Sequence, residues 1–120
     1  MLTGATALAA GAIFVPAEAQ AGDPARVQIV EKEYTLTLSR LRIHSGQAIV
    51  QVLNFGMDNH DLVVQGSARG SRPVRFKQLR PGDRATLTIR LPPGRYTLWC
   101  SLPGHRARGM LAPLVVTAQR

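Results

Sequence analysis

A chain of 120 residues can build one hydrophobic core and is too short to divide into two domains. With 45% hydrophobic but only 5% aromatic residues, 11 Gly and 8 Pro, its composition suits short strands joined by turns and argues against a helical bundle. The formal charge of +8 is carried by scattered arginines without interleaved aromatic residues, which points away from nucleic acid and towards an acidic protein partner or an anionic surface.

Residues 1–21 stand apart: small, apolar and free of Lys and Arg, they end in Ala17-Glu18-Ala19 or Ala19-Gln20-Ala21. This reads as a signal peptide without its basic n-region, and cleavage after Ala21 leaves residues 22–120 as the mature domain. Export to the periplasm or beyond the cell is expected. No apolar run approaches the roughly 20 residues that span a bilayer, so no transmembrane segment is expected.

Between Val27 and Leu38 apolar and polar residues alternate, the period of one bulged strand or two edge strands. A turn is predicted at His44-Ser45-Gly46-Gln47, with His44 read as a solvent-exposed turn residue, then a strand over Ala48–Phe55 and a short one at Leu62–Val64. Ser67–Arg72 is polar and Gly-containing and reads as an exposed loop. After the Pro81-Gly82-Asp83 turn, Arg84–Leu91 alternates cleanly, with Ala85, Leu87, Ile89 and Leu91 on one face. Tyr96–Cys100 and Met110–Thr117 supply the last two strands. Seven or eight strands without helical periodicity predict an all-β fold, a two-sheet antiparallel sandwich with Greek-key connections.

The chemistry is concentrated in Cys100-Ser101-Leu102-Pro103-Gly104-His105-Arg106-Ala107-Arg108-Gly109-Met110, which sets a thiolate, an imidazole and a thioether in one loop between two predicted strands. The single cysteine cannot form an internal disulfide, and in an exported protein a bound metal would protect it. A thiolate, two imidazoles and a weak thioether form the set that suits copper moving between Cu(I) and Cu(II). The second imidazole must come from elsewhere, and His60, after the Gly56-Met57-Asp58-Asn59 turn, is the candidate. Met57 is a conceivable further soft ligand, with core or loop packing the plainer reading.

On the strand end Val52-Leu53-Asn54-Phe55-Gly56 leading to Asn59-His60-Asp61, and on Cys100-x4-His105-x4-Met110 with Pro103-Gly104 and Gly109 in place, the chain resembles the cupredoxin family of type 1 blue copper proteins from about Val27 onward. The resemblance implies one copper ion with His60, Cys100 and His105 as equatorial ligands and Met110 as the axial one, in an eight-stranded Greek-key sandwich. It implies single-electron carriage between redox partners, with no enzyme activity. Three histidines cannot supply the extra His-x-His pairs of a multicopper oxidase or nitrite reductase, whereas a copper-binding or delivery module without electron transfer stays open as an alternative.

Two departures from the family pattern matter. Asp61 follows the first histidine where many members carry Asn or Ser tying the two ligand loops together, so either Asp61 or Asn59 makes the tie. Arg106 and Arg108 flank a histidine whose exposed edge is usually apolar, which implies docking to an acidic redox partner. Leu62, Leu102 and Leu111 are expected to keep water from the metal, and a monomer is expected.

Overall fold

Apolar side chains recurring at every second position set the described chain into nine strands: β1 (Ala25–Lys32), β2 (Thr35–Leu38), β3 (Arg42–His44), β4 (Gly46–Asn54), β5 (His60–Gly66), β6 (Val74–Leu79), β7 (Arg84–Leu91), β8 (Gly94–Trp99) and β9 (Leu111–Thr117). The computed structural model describes residues 4–6, 10–12 and 22–119, so most of the leader expected over residues 1–21 lies outside the described residues. The strands form a β-sandwich of two sheets, ordered β2-β1-β4-β7 and β3-β9-β8-β5-β6.

Its core is made by the inward faces. From β1 come Ala25, Val27 and Ile29, from β4 Ala48, Val50 and Val52, and they meet Leu62, Val64, Leu98, Leu114 and Val116 of the other sheet. Each large aliphatic side chain so buried contributes about 1.5–3 kcal/mol relative to exposure. The same inward register of β1 carries Glu31, which is fully buried.

Two expectations change here. The strand count rises to nine because β3 and β6 occupy stretches to which the sequence reading assigned no strand. The sandwich is also not purely antiparallel: β1 pairs parallel with β4, from Ala25↔Ala48 to Glu31↔Asn54, and β3 pairs parallel with β9. After β2 the chain crosses to the second sheet for β3 and returns to the first as β4, and such a crossover can deliver β4 parallel to β1.

Local differences follow. His44 ends β3, half-buried, with its Nδ1 2.9 Å from the Ser45 carbonyl oxygen, and is not a free turn residue. Phe55 lies just beyond β4 and is 58% exposed. The strand Arg84–Leu91 forms as expected but pairs only with β4, and at this sheet edge Leu87 is left exposed. Pro113 is tolerated inside β9 because β3 pairs only from Val115 onward, leaving no ladder bond for Pro113 to make on that side.

The two ends of the sandwich are distinct. One gathers the ends of β1, β4 and β8 with the starts of β5 and β9; the other gathers the starts of β1, β4 and β8 with the ends of β5, β7 and β9.

Candidate metal centre

Three donors meet at the first of these ends. His60 opens β5 and its inward register buries it completely. Cys100 follows the last residue of β8 and is also fully buried. His105 stands half-buried in the loop between β8 and β9.

That loop is a closed unit. Its base is pinned where the Cys100 amide donates to the Met110 carbonyl at 3.1 Å, and its turn is built by His105 N to Leu102 O at 3.1 Å and Met110 N to His105 O at 3.2 Å. Gly109 adopts φ +120°, and a β-carbon there would also press on the Tyr34 carbonyl. Met110, fully buried at the loop's end, contributes its thioether to this interior.

The Nδ1 atoms of His60 and His105 lie 3.1 Å apart, and His105 Nδ1 is 3.5 Å from Cys100 Sγ. One ligand atom from each of these three residues falls within 4.8 Å of the other two. Glu33, in the turn between β1 and β2, sets the His60 tautomer: its carboxylate receives Nε2–H at 2.9 Å, which leaves the Nδ1 lone pair facing the other donors. Glu33 also accepts the amides of Asp58 at 2.6 Å and Met57 at 2.7 Å. The Asp58 amide, ahead of the Glu33 amide, His60 and Met57, holds the carboxyl down at about 2 against the opposing effect of burial. Gly56 is needed beside it, because a β-carbon there would collide with the carboxylate.

Asp61 ties the two ligand segments. Its amide points at Cys100 Sγ at 3.5 Å, its Oδ1 accepts the Ser101 amide at 2.6 Å, and its Oδ2 accepts the Ser101 hydroxyl. Asn59 is exposed and makes no such tie. Burial pushes the Cys100 thiol up, opposed by the Asp61 and Leu102 amides, so ionisation of this sulfur calls for a cation beside it. Asn54, fully buried, braces the turn before His60 by donating to the carbonyls of Asp58 at 2.8 Å and Leu79 at 3.0 Å and accepting the Gly56 amide at 2.8 Å.

On the outer side, Tyr34 meets the His105 ring edge to face at 5.1 Å, and Arg108 both donates to the Tyr34 hydroxyl at 2.8 Å and stacks on its ring. Arg106 covers Trp99 at 4.5 Å. The water-excluding shell is narrower than the sequence suggests: Leu62 is fully buried and Leu102 half-buried, but Leu111 is 45% exposed. Met57, at 87% exposure, packs in no core.

His60, Cys100 and His105 are brought together at one end, with Met110 buried at the close of the same loop, while His44 lies at the opposite end, pairing with Thr117. Glu33 and Tyr34, which touch the two imidazoles, had no signal in the sequence beyond a turn between two strands. Two converging Nδ1 donors, a buried sulfur with an amide directed at it and a buried thioether fit a single type 1 copper ion.

A family model described as a cupredoxin-like domain matches residues 4–112. Among solved structures, the chain is similar to reduced auracyanin from the photosynthetic bacterium Roseiflexus castenholzii, with 21% identity and a TM-score of 0.64 over 80% of this chain and 99% of that one. Auracyanin B matches with 18% identity and a TM-score of 0.67, over 82% of this chain and 93% of that one. Auracyanin A, titled a "blue" copper protein from Chloroflexus aurantiacus, matches with 14% identity and a TM-score of 0.64, over 79% of this chain and the whole of that one. At these identities the likeness is one of fold. No curated protein matches the chain by sequence.

Proposed function

The chain belongs to the cupredoxin-like domain family, and from that premise we propose that it is an electron carrier whose copper is held by His60, Cys100, His105 and Met110. When bound, copper supplies a one-electron couple between Cu(I) and Cu(II). The observation that carries the reading is the convergence of the His60 and His105 Nδ1 atoms on the buried Cys100 sulfur.

What the chain supplies is fixed geometry. Glu33 holds His60 from behind, Asp61 locks Ser101 and presents its amide to the sulfur, and the Cys100–Met110 backbone bond closes the loop. A site held in this way rearranges little on a change of redox state, which favours transfer over catalysis. Half-buried His105 is the donor nearest solvent and is the exit for the electron. The partner is a redox protein that presents carboxylates to Arg106 and Arg108, and the protein works as an exported monomer outside the cytoplasm. Among the described residues no helix is long and apolar enough to cross a membrane.

Titration of the chain with Cu(II) tests this directly. We expect one equivalent to produce the intense blue thiolate-to-copper charge-transfer band and a reversible one-electron couple, both lost in Cys100→Ala. A colourless 1:1 complex would overturn the reading. A blue complex without a reversible couple would leave a copper-handling module in its place.

A further inference from the structure

The charge of the molecule is unevenly divided between the two ends of the sandwich, and we infer that the end remote from the metal centre is a docking face for an anionic lipid bilayer. Five of the six described acids, Glu31, Glu33, Asp58, Asp61 and Asp83, stand at the metal-bearing end, and the basic residues there, Lys32, Lys77, Arg80, Arg84, Arg106 and Arg108, nearly balance them. The described ion pair Arg80–Asp83 is at that end too.

At the remote end the picture is reversed. Arg69, Arg72, Arg90 and Arg95 line one cavity of about 320 Å³ beyond the end of β5 and around the β7–β8 turn, with no acid in its wall. Arg26, Arg40 and Arg42 line a neighbouring hollow beside the start of β1. All seven are exposed, none has a described carboxylate within ion-pair distance, and Asp23 is the one described acid at that end.

These charges sit on ordered backbone. Gln65 donates from Nε2 to the Ser71 carbonyl at 2.8 Å, the Ser67 amide donates to the Arg95 carbonyl at 2.9 Å, and the Tyr96 hydroxyl donates to the Pro92 carbonyl at 2.7 Å. Guanidiniums gathered around one hollow repel one another unless an anion is supplied from outside, and their planar fork matches phosphate. Seven of them spread over the end of a sandwich, with no strip of aromatic rings to stack on bases, fit an extended anionic surface better than a nucleic-acid strand. Seated this way, the molecule holds its metal-bearing end about 17 Å out, the length of β8, and open to a partner.

The inference does not depend on copper, and its test is separate from that of the metal centre. The full chain is sedimented with phosphatidylcholine vesicles with and without phosphatidylglycerol. Binding is expected only to the anionic vesicles and is expected to weaken as salt rises. Changing Arg69, Arg72, Arg90 and Arg95 together to Gln should lower partitioning more than a hundredfold, at about fivefold per arginine, whereas Arg80→Gln with Arg84→Gln should change it less. Trp99, the only tryptophan, lies at the metal-bearing end, and its emission should be untouched by nitroxide-headgroup lipid in the bound state. Equal binding to neutral vesicles, equal loss in the two variants or quenching of Trp99 would each overturn the inference. So would an absence of vesicle binding alongside heparin binding that needs the same four arginines.

Discussion

Asp61 joins the two halves of the metal centre, because one side chain fixes Ser101 through two bonds while its own amide faces the sulfur. An asparagine there keeps the Oδ1 acceptor for the Ser101 amide but removes a negative charge that favours the more highly charged metal ion. Asp61→Asn should therefore raise the reduction potential, on the order of 60 mV if Cu(II) loses tenfold in relative affinity. An unchanged voltammogram would show that the carboxylate acts only as a tie. Individual residues of this site were unequally legible in the sequence. Cys100, His105 and Met110 are close in the chain, so spacing alone announces them, and His60 follows from its place at a strand start. Glu33 lies 27 residues before His60 and reaches it only because the β1–β2 turn folds over the site. No local pattern carries such a contact, and the same holds for Tyr34 against His105.

At the scale of the element, β1 shows what strict alternation costs: the register that buries Ala25, Val27 and Ile29 also buries Glu31, whose two carboxylate oxygens have no hydrogen-bond partner. Burial, reinforced by the charge of Asp61, pushes the Glu31 carboxyl from 4.5 up to about 8. Between those values the native state keeps a proton that the unfolded chain has released, so the unfolded state binds fewer protons and stability falls as pH rises. The contribution is fully present below about 4.5 and is lost by about 8, at roughly 1 kcal/mol per pH unit. Urea midpoints at pH 5 and pH 8 should fall apart in the wild type and converge in Glu31→Gln; equal slopes in both proteins would mean that Glu31 is not the group responsible. Strands with clean alternation, β7 above all, were legible in the sequence. β3 is three residues long, and β6 turns Phe76 and Leu79 inward out of strict alternation where its pairing with β5 shifts register, so neither offered a period to read. The parallel pairing of β1 with β4 depends on a crossover and leaves no mark in either strand.

For the molecule as a whole, the net charge that composition reveals says nothing of where it lies. Arg106 and Arg108 made the metal-bearing face look basic in the sequence, yet the five acids around them nearly neutralise that end, and most of the excess belongs to the opposite one. Before contact, at separations of about a Debye length, an acidic partner responds to the overall field and is drawn to the remote arginines, away from the metal centre. At close range the contacts of Arg106 and Arg108 decide productive docking. Salt acts on both, but first on the longer-ranged attraction. The rate of electron transfer to an acidic redox protein should therefore rise with the first additions of salt, as misdirected encounters are screened, and fall only when the local pairs weaken. Arg69, Arg72, Arg90 and Arg95 changed together to Gln should remove the rise and leave a monotonic decline in stopped-flow traces. Arg106→Gln with Arg108→Gln should keep the rise and lower the maximum, since the far field is intact while the productive contact is lost. A monotonic decline in the wild type would mean that the metal-bearing face alone steers the encounter, despite its nearly balanced charge.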